Sequence, residues 1–299
     1  MKRKKIVIIL VGMILLSILL AGCNESETNT TTDEDTNGNS NETKAKEDDN
    51  IEEENKDEDL IGYWKFDEEK GVAALDSANG FHGTVSGGAT WSAGKVGNSL
   101  YFDGIDDHVI LPSSAIENIK DLAQGTISFW FNYESLLDEQ PIMPIFYLGN
   151  DNVEDSESIF IIEIGHSDPE SPIYTLDPSN KKLYVTWTDW ENNNLDPLLC
   201  YDSLDNLEEN TWYHFALVVG PDGNTGYLNG IEMNNRNYNF GSPSDQMFFA
   251  EITAKELFTF GYGKTHHIIS PTFVYYKGYI DELKIYNRPL SLDEIRELL

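Results

Sequence analysis

The chain has 299 residues, of which 20 are lysine or arginine and 52 aspartate or glutamate, for a formal net charge of −32 at pH 7. So acidic a chain repels nucleic acid and anionic membrane surfaces, which excludes both as partners of its folded part. Cys23 and Cys200 are its two cysteines, so stability has to come from a packed core, for which the ~240 residues after the N-terminal stretch suffice.

The first element is a leader. Lys2, Arg3, Lys4 and Lys5 precede an apolar run from Ile6 to Leu20, shorter than the ~20 residues a membrane-spanning helix needs and followed by small residues. Leu20-Ala21-Gly22-Cys23 resembles the lipobox of prokaryotic lipoproteins. The resemblance implies removal of residues 1–22, a lipid on the Cys23 sulfur and an extracytoplasmic protein of the cell envelope. An uncleaved N-terminal anchor is the alternative. Residues 23–59 then form a tether: positions 24–59 hold 15 acidic and 3 basic residues among Asn, Thr, Ser and Gly. Such a segment cannot bury enough apolar surface to order itself, and as a flexible coil it spans roughly 30–35 Å. Asn24, Asn29 and Asn41 begin Asn-x-Ser/Thr sequons, which an Asn/Thr-rich stretch also produces by chance.

From Leu60 the chain alternates short apolar or aromatic runs with Gly, Pro, Asn and Asp clusters. Strands are expected at 62–67, 99–103, 108–111, 126–133, 159–164, 182–187, 213–219, 257–261 and 279–286, since these runs are rich in β-branched and aromatic residues. In the 126–133 run Ile127, Phe129, Phe131 and Tyr133 share one face. The 213–219 run is apolar on both faces and predicts a strand covered on both sides. Only the end reads as helix, with Ser291 and Glu294 as a capping box and Leu290 and Ile295 as a hydrophobic staple. Many strands and almost no helix predict one all-β domain over 60–299, built as a two-sheet sandwich with a short C-terminal helix. Cys200, within Leu198-Leu-Cys-Tyr201, reads as a buried thiol.

Several segments together resemble the laminin-G-like branch of the concanavalin A-like lectin/glucanase superfamily. They are Tyr63-Trp-Lys-Phe-Asp-Glu68, Asp76-Ser-Ala-Asn-Gly80, Gly94 through Pro112 with its Asp103-Gly-Ile-Asp-Asp107 turn, Thr211-Trp-Tyr-His-Phe-Ala-Leu-Val218, Gly226-Tyr-Leu-Asn-Gly230 and Gly278 through Ser291. The resemblance covers 60–299 and implies an antiparallel jelly-roll sandwich of two sheets whose first and last strands pair. It places Trp64, Trp91, Trp130 and Trp212 in framework segments, where they read as core. Stretches 134–158, 189–206 and 235–256 fit less well and read as elaborated loops.

Fold alone does not give function, so the sites are weighed separately. Glycoside hydrolases of this superfamily carry Glu-x-Asp-x-x-Glu on one strand, which sets two carboxylates about 5 Å apart on one face. Here Glu163 is followed by Ile164 and Gly165, while Asp281 and Glu282 are adjacent, so no catalytic residue is expected. By resemblance, a calcium ion would sit on Asp67, Asp76 and Asp281 with carbonyls near Gly71 and Asn79. Asp281 also shares an expected strand face with Leu283 and Ile285, and an inward carboxylate needs either a cation or backbone N–H donors. Asp103, Asp106 and Asp107 read as hairpin residues. The histidines, including the neighbours His266 and His267, form no zinc pattern. For a sugar, exposed aromatics flanked by Asn are expected: Trp190 with Asn192 and Asn193, and Tyr275 with Tyr276. The reading is a monomeric, membrane-anchored binding module for a carbohydrate or glycoprotein. A cell-envelope adhesion protein binding another protein is the alternative, and a glycan-processing enzyme the third.

Overall fold

The computed structural model describes residues 58–135, 142–150, 158–165, 181–189, 196–233, 238–264 and 273–299. The chain divides into two units, Met1–Glu52 and Glu53–Leu299, and every described residue belongs to the second. The leader, Cys23 and the tether up to residue 57 lie outside the described residues. Among those described, no helix is long and apolar enough to cross a membrane.

Two antiparallel sheets face each other. Sheet A runs β14 (Ile231–Glu232), β13 (Gly223–Leu228), β12 (Tyr213–Gly220), β7 (Gly125–Tyr133), β19 (Lys277–Tyr286), β5 (Asn98–Asp103) and β4 (Thr90–Ala93), and β1 (Leu60–Trp64) also pairs with β19. Sheet B runs β15 (Tyr238–Phe240), β11 (Asp196–Asp202), β10 (Lys182–Asp189), β9 (Ile159–Gly165), β8 (Ile142–Gly149), β16 (Leu257–Phe260), β6 (His108–Ile110), β3 (Gly83–Ser86) and β2 (Ala73–Ala74). A separate hairpin joins β17 (Tyr262–Lys264) to β18 (Phe273–Tyr275). This is the expected sandwich of jelly-roll type, with first and last strands paired.

The core forms where the inner faces meet. Ile127, Phe129 and Phe131 of β7 and Ile280, Leu283 and Ile285 of β19 oppose Phe146, Phe160, Val185 and Trp187 of sheet B. Phe146 lies at an aromatic centre, its ring 5.5 Å from Phe160, 5.0 Å from Phe258 and 5.8 Å from Phe260. Alternation explains the selection, because residues two apart share a face of a strand. Cys200 is buried beside the Thr186 hydroxyl.

The outer face of sheet A is covered at one end by the C-terminal helix α2 (Leu292–Glu297). Leu290 and Ile295 pack there on Ala216, Val218 and Tyr286, so β12 is apolar on both faces for the reason expected. The capping box forms: Glu294 N–H donates to Ser291 Oγ at 3.3 Å and Ser291 N–H to Glu294 Oε2 at 2.8 Å. These bonds, with Arg288 beside them, hold the Glu294 carboxyl down to about 2. The helix α1 (Ser113–Ile119), which buries Ala115, Ile116 and Ile119, was not expected from the sequence.

The alternation expected for 279–286 is broken by a bulge. Asp281 pairs with Trp130 and Lys284 with Ser128, so three steps along β19 match two along β7, and Glu282 takes up the extra residue at φ 53°. Asp281 therefore faces outward beside Trp130, whereas Ile280, Leu283 and Ile285 point into the core. The expectation that Asp281 shares a face with Leu283 and Ile285 is corrected by this bulge. Asp281 is nevertheless fully buried, because the β4–β5 loop closes over it. Its Oδ2 accepts the N–H groups of Lys95 at 2.8 Å and Val96 at 3.0 Å, and the Lys95 ammonium lies 4.4 Å from the Trp130 ring centre. Glycine is required at position 94, where a Cβ would collide with the Asn98 carbonyl and the Asp281 carboxylate. Glu282 accepts from the Tyr63 hydroxyl at 2.5 Å and from Lys284 Nζ at 3.0 Å, which ties β1 to β19.

Among the framework tryptophans, Trp64 is core, Trp91 packs partly on it, and Trp130 is buried on the outer face instead. Trp212 is half-buried rather than core, because the inward position next to it is filled by Tyr213, stacked on Phe131.

Two outcomes follow. Tyr63→Phe removes a charge-assisted hydrogen bond and is expected to cost about 1–2 kcal/mol in denaturant unfolding; a loss below a few tenths would mean that β1 is held by packing alone. Burial pushes the Asp281 carboxyl up to about 7, against about 4 in an unfolded chain. Between those values the native state holds a proton that the unfolded state does not, so this residue's contribution to stability falls as pH rises from 4 to 7 and levels off above. Asp281→Asn keeps an acceptor for Lys95 and Val96, and its stability should gain on the parent by about 2–3 kcal/mol between pH 5 and 8. Parallel pH profiles for the two proteins would refute this assignment.

Candidate functional site

The sequence-predicted aromatics are distributed unevenly. Trp190, Asn192 and Asn193 lie outside the described residues. Tyr276 is fully buried, its ring 6.0 Å from Phe102 and its hydroxyl donating to the Tyr279 carbonyl at 3.4 Å. It is a core residue and not a platform, which corrects that expectation: neighbours on an extended chain point opposite ways, and the inward place falls to Tyr276. Tyr275 takes the other direction and is half-buried on β18.

Tyr275 belongs to an aromatic stack. The β17–β18 register sets Tyr262 opposite Tyr275 and Lys264 opposite Phe273. Tyr262 thus stacks on Tyr275 at 4.9 Å and on Phe273 at 4.8 Å, with interplanar angles of 29° and 17°. All three rings are half-buried. His108 from β6 completes the group, 5.1 Å from Tyr262 and 6.2 Å from Tyr275. Beneath, Gly263 packs against Tyr147, where a Cβ would press into that ring, so the hairpin is seated on sheet B.

An acidic turn borders the stack. The carboxylates of Asp103, Asp106 and Asp107 come within 4.8 Å of one another. Asp107 Oδ2 accepts from Asp103 N–H and Asp103 Oδ1 from Ile105 N–H, both at 2.8 Å, the turn-holding role expected of them. Asp107 is buried, and burial pushes its carboxyl up from the usual range. His108 Nδ1 donates to the Asp106 carbonyl at 2.7 Å, which links the turn to the stack. Burial, with the Asp106 charge nearby, raises the Tyr275 hydroxyl above its ordinary value, so the ring presents a neutral phenol. The arrangement offers flat apolar ring surface next to hydrogen-bond acceptors. Tyr262, Phe273 and His108 were missed by sequence reasoning, although the alternating aromatics of Phe273-Val-Tyr275 are the signal that could have found them.

The calcium set does not assemble. Asp67, Asp76 and Asp281 are not among the carboxylates that gather within 4.8 Å. Asp76 accepts four backbone N–H groups: Tyr63 and Ala78 at 2.8 Å on Oδ1, Asn79 at 3.1 Å and Phe81 at 2.9 Å on Oδ2. That fills the acceptor capacity of a carboxylate. Asp67 Oδ1 accepts from Asn98 N–H at 2.9 Å, at the end of the loop that Asp281 secures. Asp281 Oδ1 is buried without a hydrogen-bond partner, but a single such oxygen does not make a six- to eight-oxygen shell. The three residues do not fit a shared ion; they hold turns.

Comparisons agree with this architecture. A family model for laminin-G-like domains, described as the concanavalin A-like lectin/glucanases superfamily, matches residues 102–296. Comparison with curated protein sequences gives no match. Among solved structures, domain 4 of the extracellular GH43 arabinanase AbnA from Geobacillus stearothermophilus, in complex with arabinotriose, is similar with a TM-score of 0.48 at 21% identity, over 80% of this chain and 97% of that one. The Trypanosoma rangeli sialidase in complex with sialic acid gives 0.50 at 16% identity, over 80% of this chain and 32% of the sialidase. The binding domain of Paraclostridial Mosquitocidal Protein 1 gives 0.50 at 16% identity, over 80% of this chain and 51% of that one. At these identities the likeness to the sialidase and to the mosquitocidal protein is one of fold, and the chain spans about a third of the first and half of the second. With the family model covering well over half of its length, the chain belongs to the concanavalin A-like lectin/glucanases superfamily.

Proposed function

We propose that the folded domain is a non-catalytic carbohydrate-binding module, displayed outside the cell on a lipidated Cys23 and an acidic tether. The observation that carries the reading is the half-buried Phe273–Tyr262–Tyr275 stack beside the Asp103–Asp107 turn. Sugars present apolar C–H faces and hydroxyl edges, and such a site meets both, ring faces taking the first and carboxylates the second. Membership of the superfamily supports it, as do the sialidase solved with sialic acid and the binding domain of the mosquitocidal protein. The absence from the sequence of the strand-borne acid pair argues for binding without turnover. Asp281 and Glu282 are engaged in holding strands together.

The anchor rests on the basic and apolar leader that ends at Cys23. Cys23→Ala should abolish incorporation of labelled palmitate and release the protein into the medium; a variant that stays labelled and membrane-bound would refute it. For the site, retention on immobilised polysaccharides in affinity electrophoresis should fall about tenfold for Tyr275→Ala, the loss of one aromatic contact. Unchanged retention of Tyr275→Ala would move the site away from the hairpin. Binding to a glycoprotein that survives its deglycosylation would favour the adhesion reading.

A further inference from the structure

A second aromatic group lies on the outer face of sheet A, at the end that α2 leaves uncovered. Tyr279 of β19 pairs with Asn132 of β7 on one side and with Tyr101 of β5 on the other. Paired residues of antiparallel strands share a face. Because Ile127, Phe129 and Phe131 point into the core, Asn132 points outward, and Tyr279 and Tyr101 with it. Trp212, just before β12, reaches over Asn132 to bring its ring 6.0 Å from Tyr279, and Tyr279 lies 4.8 Å from Tyr101. The residues come from four neighbouring strands spaced about 4.8 Å apart, so the row is roughly 14 Å long.

Nothing in the core requires this row. All three rings are half-buried, and the Trp212 indole N–H makes no hydrogen bond among the described residues. Asn132 at the floor is 8% exposed, and its amide oxygen has no hydrogen-bond partner. Glu134 closes one end: its Oε2 accepts from the Tyr101 hydroxyl at 3.3 Å and pairs with Lys277 Nζ at 3.4 Å. Lys277 in turn stands opposite Asp103 in the β19–β5 ladder. The row therefore runs into the acidic turn that borders the Tyr275 stack. Two aromatic surfaces flank one cluster of carboxylates, and Lys277, the ammonium between them, is already paired.

From this continuity we infer that Trp212, Tyr279 and Tyr101 form a second sugar subsite, and that the module takes an extended, neutral polysaccharide rather than a single terminal sugar. The inference rests on the carbohydrate reading of the Tyr275 site. The length of the row and its junction with the first stack suit several consecutive sugar rings. The class of sugar follows from charge. Asp103, Asp106, Asp107 and Glu134 surround the path, and a carboxylated or sulfated chain would meet like charge along it.

The test measures affinity by calorimetry for neutral gluco-, xylo-, manno- and arabino-oligosaccharides from disaccharide to octasaccharide. The full chain is used with Trp212→Ala, Trp212→Phe and Tyr275→Ala, and thermal melting confirms that each variant folds. The parent is expected to bind the longest member of its preferred series about tenfold more tightly than the disaccharide. Trp212→Ala should lose that gain while keeping the short-ligand affinity, and Trp212→Phe should restore most of it. Tyr275→Ala should weaken binding at every length. If Trp212→Ala keeps the length dependence of the parent, the second subsite is wrong although the first reading stands. If the parent prefers sialylated or uronate-bearing oligosaccharides, the neutral class is wrong. If it binds no oligosaccharide, the carbohydrate reading fails, and the second subsite with it.

Discussion

The fold turns on one hand-over. β19 is flanked along its whole length by β7, but its other edge changes partner: residues 277–280 pair with β5, and residues 283–286 with β1. Between them stand Asp281 and Glu282, and each carboxylate fastens one of the two partners. Asp281 holds the β4–β5 loop by two N–H groups, and Glu282 holds the Tyr63 hydroxyl of β1. A regular strand could not do both, since neighbouring side chains would leave on opposite faces. The bulge costs a left-handed residue at Glu282, of the order of 1–2 kcal/mol for a side chain other than glycine, and Lys284 and Tyr63 offset that cost by satisfying the same carboxylate.

Coverage of sheet A follows from the hand-over and decides where a ligand can reach. At one end the chain continues from Tyr286 into Leu290 and α2, which pack on β12. In the middle the loop drawn in by Asp281 lays Lys95 over Trp130. His214, packed beneath with Ser128 Oγ at 2.9 Å, is held down to about 4 by burial and so stays neutral. Beyond Asn132 neither the helix nor the loop extends, and Trp212, Tyr279 and Tyr101 remain at the surface. Their availability is thus a consequence of where the C-terminal segment and the β4–β5 loop stop. The β17–β18 hairpin escapes coverage for another reason: it stands outside both main sheets and touches the sandwich through its inner side.

Much of this architecture can be read from residue patterns. Ile127, Phe129, Phe131 and Tyr133 alternate and do line the core, and Ser291 with Glu294 does cap the last helix, because both features depend on neighbours within a few positions. The helix α1 is missed because seven residues after a proline are too few for a periodic signal against strand-rich surroundings. The Asp281 face is misread because a bulge leaves no trace in hydrophobic alternation: 279–286 looks like an ordinary strand, and only pairing with β7 reveals the extra residue. The same limit applies to sites. The resemblance makes Asp76 a ligand, but Tyr63, Ala78, Asn79 and Phe81 saturate it, and which backbone donors converge on a carboxylate is a property of the folded turn. Whether Tyr275 or Tyr276 points outward depends on strand phase, a choice of one residue that composition leaves open.

Charge links these parts to a working arrangement. The folded domain is strongly acidic, so it is repelled by an anionic surface. A neutral polymer escapes this repulsion altogether, since its binding draws on ring contacts and hydrogen bonds that salt screens little. Under the proposed reading, the carboxylates that would accept sugar hydroxyls at the acidic turn would desolvate at a cost opposite an apolar partner protein, which lacks donors to replace the water they lose. A hydroxyl-rich chain supplies those donors at each residue, and for that reason the acidic border and the aromatic surfaces favour the same kind of ligand.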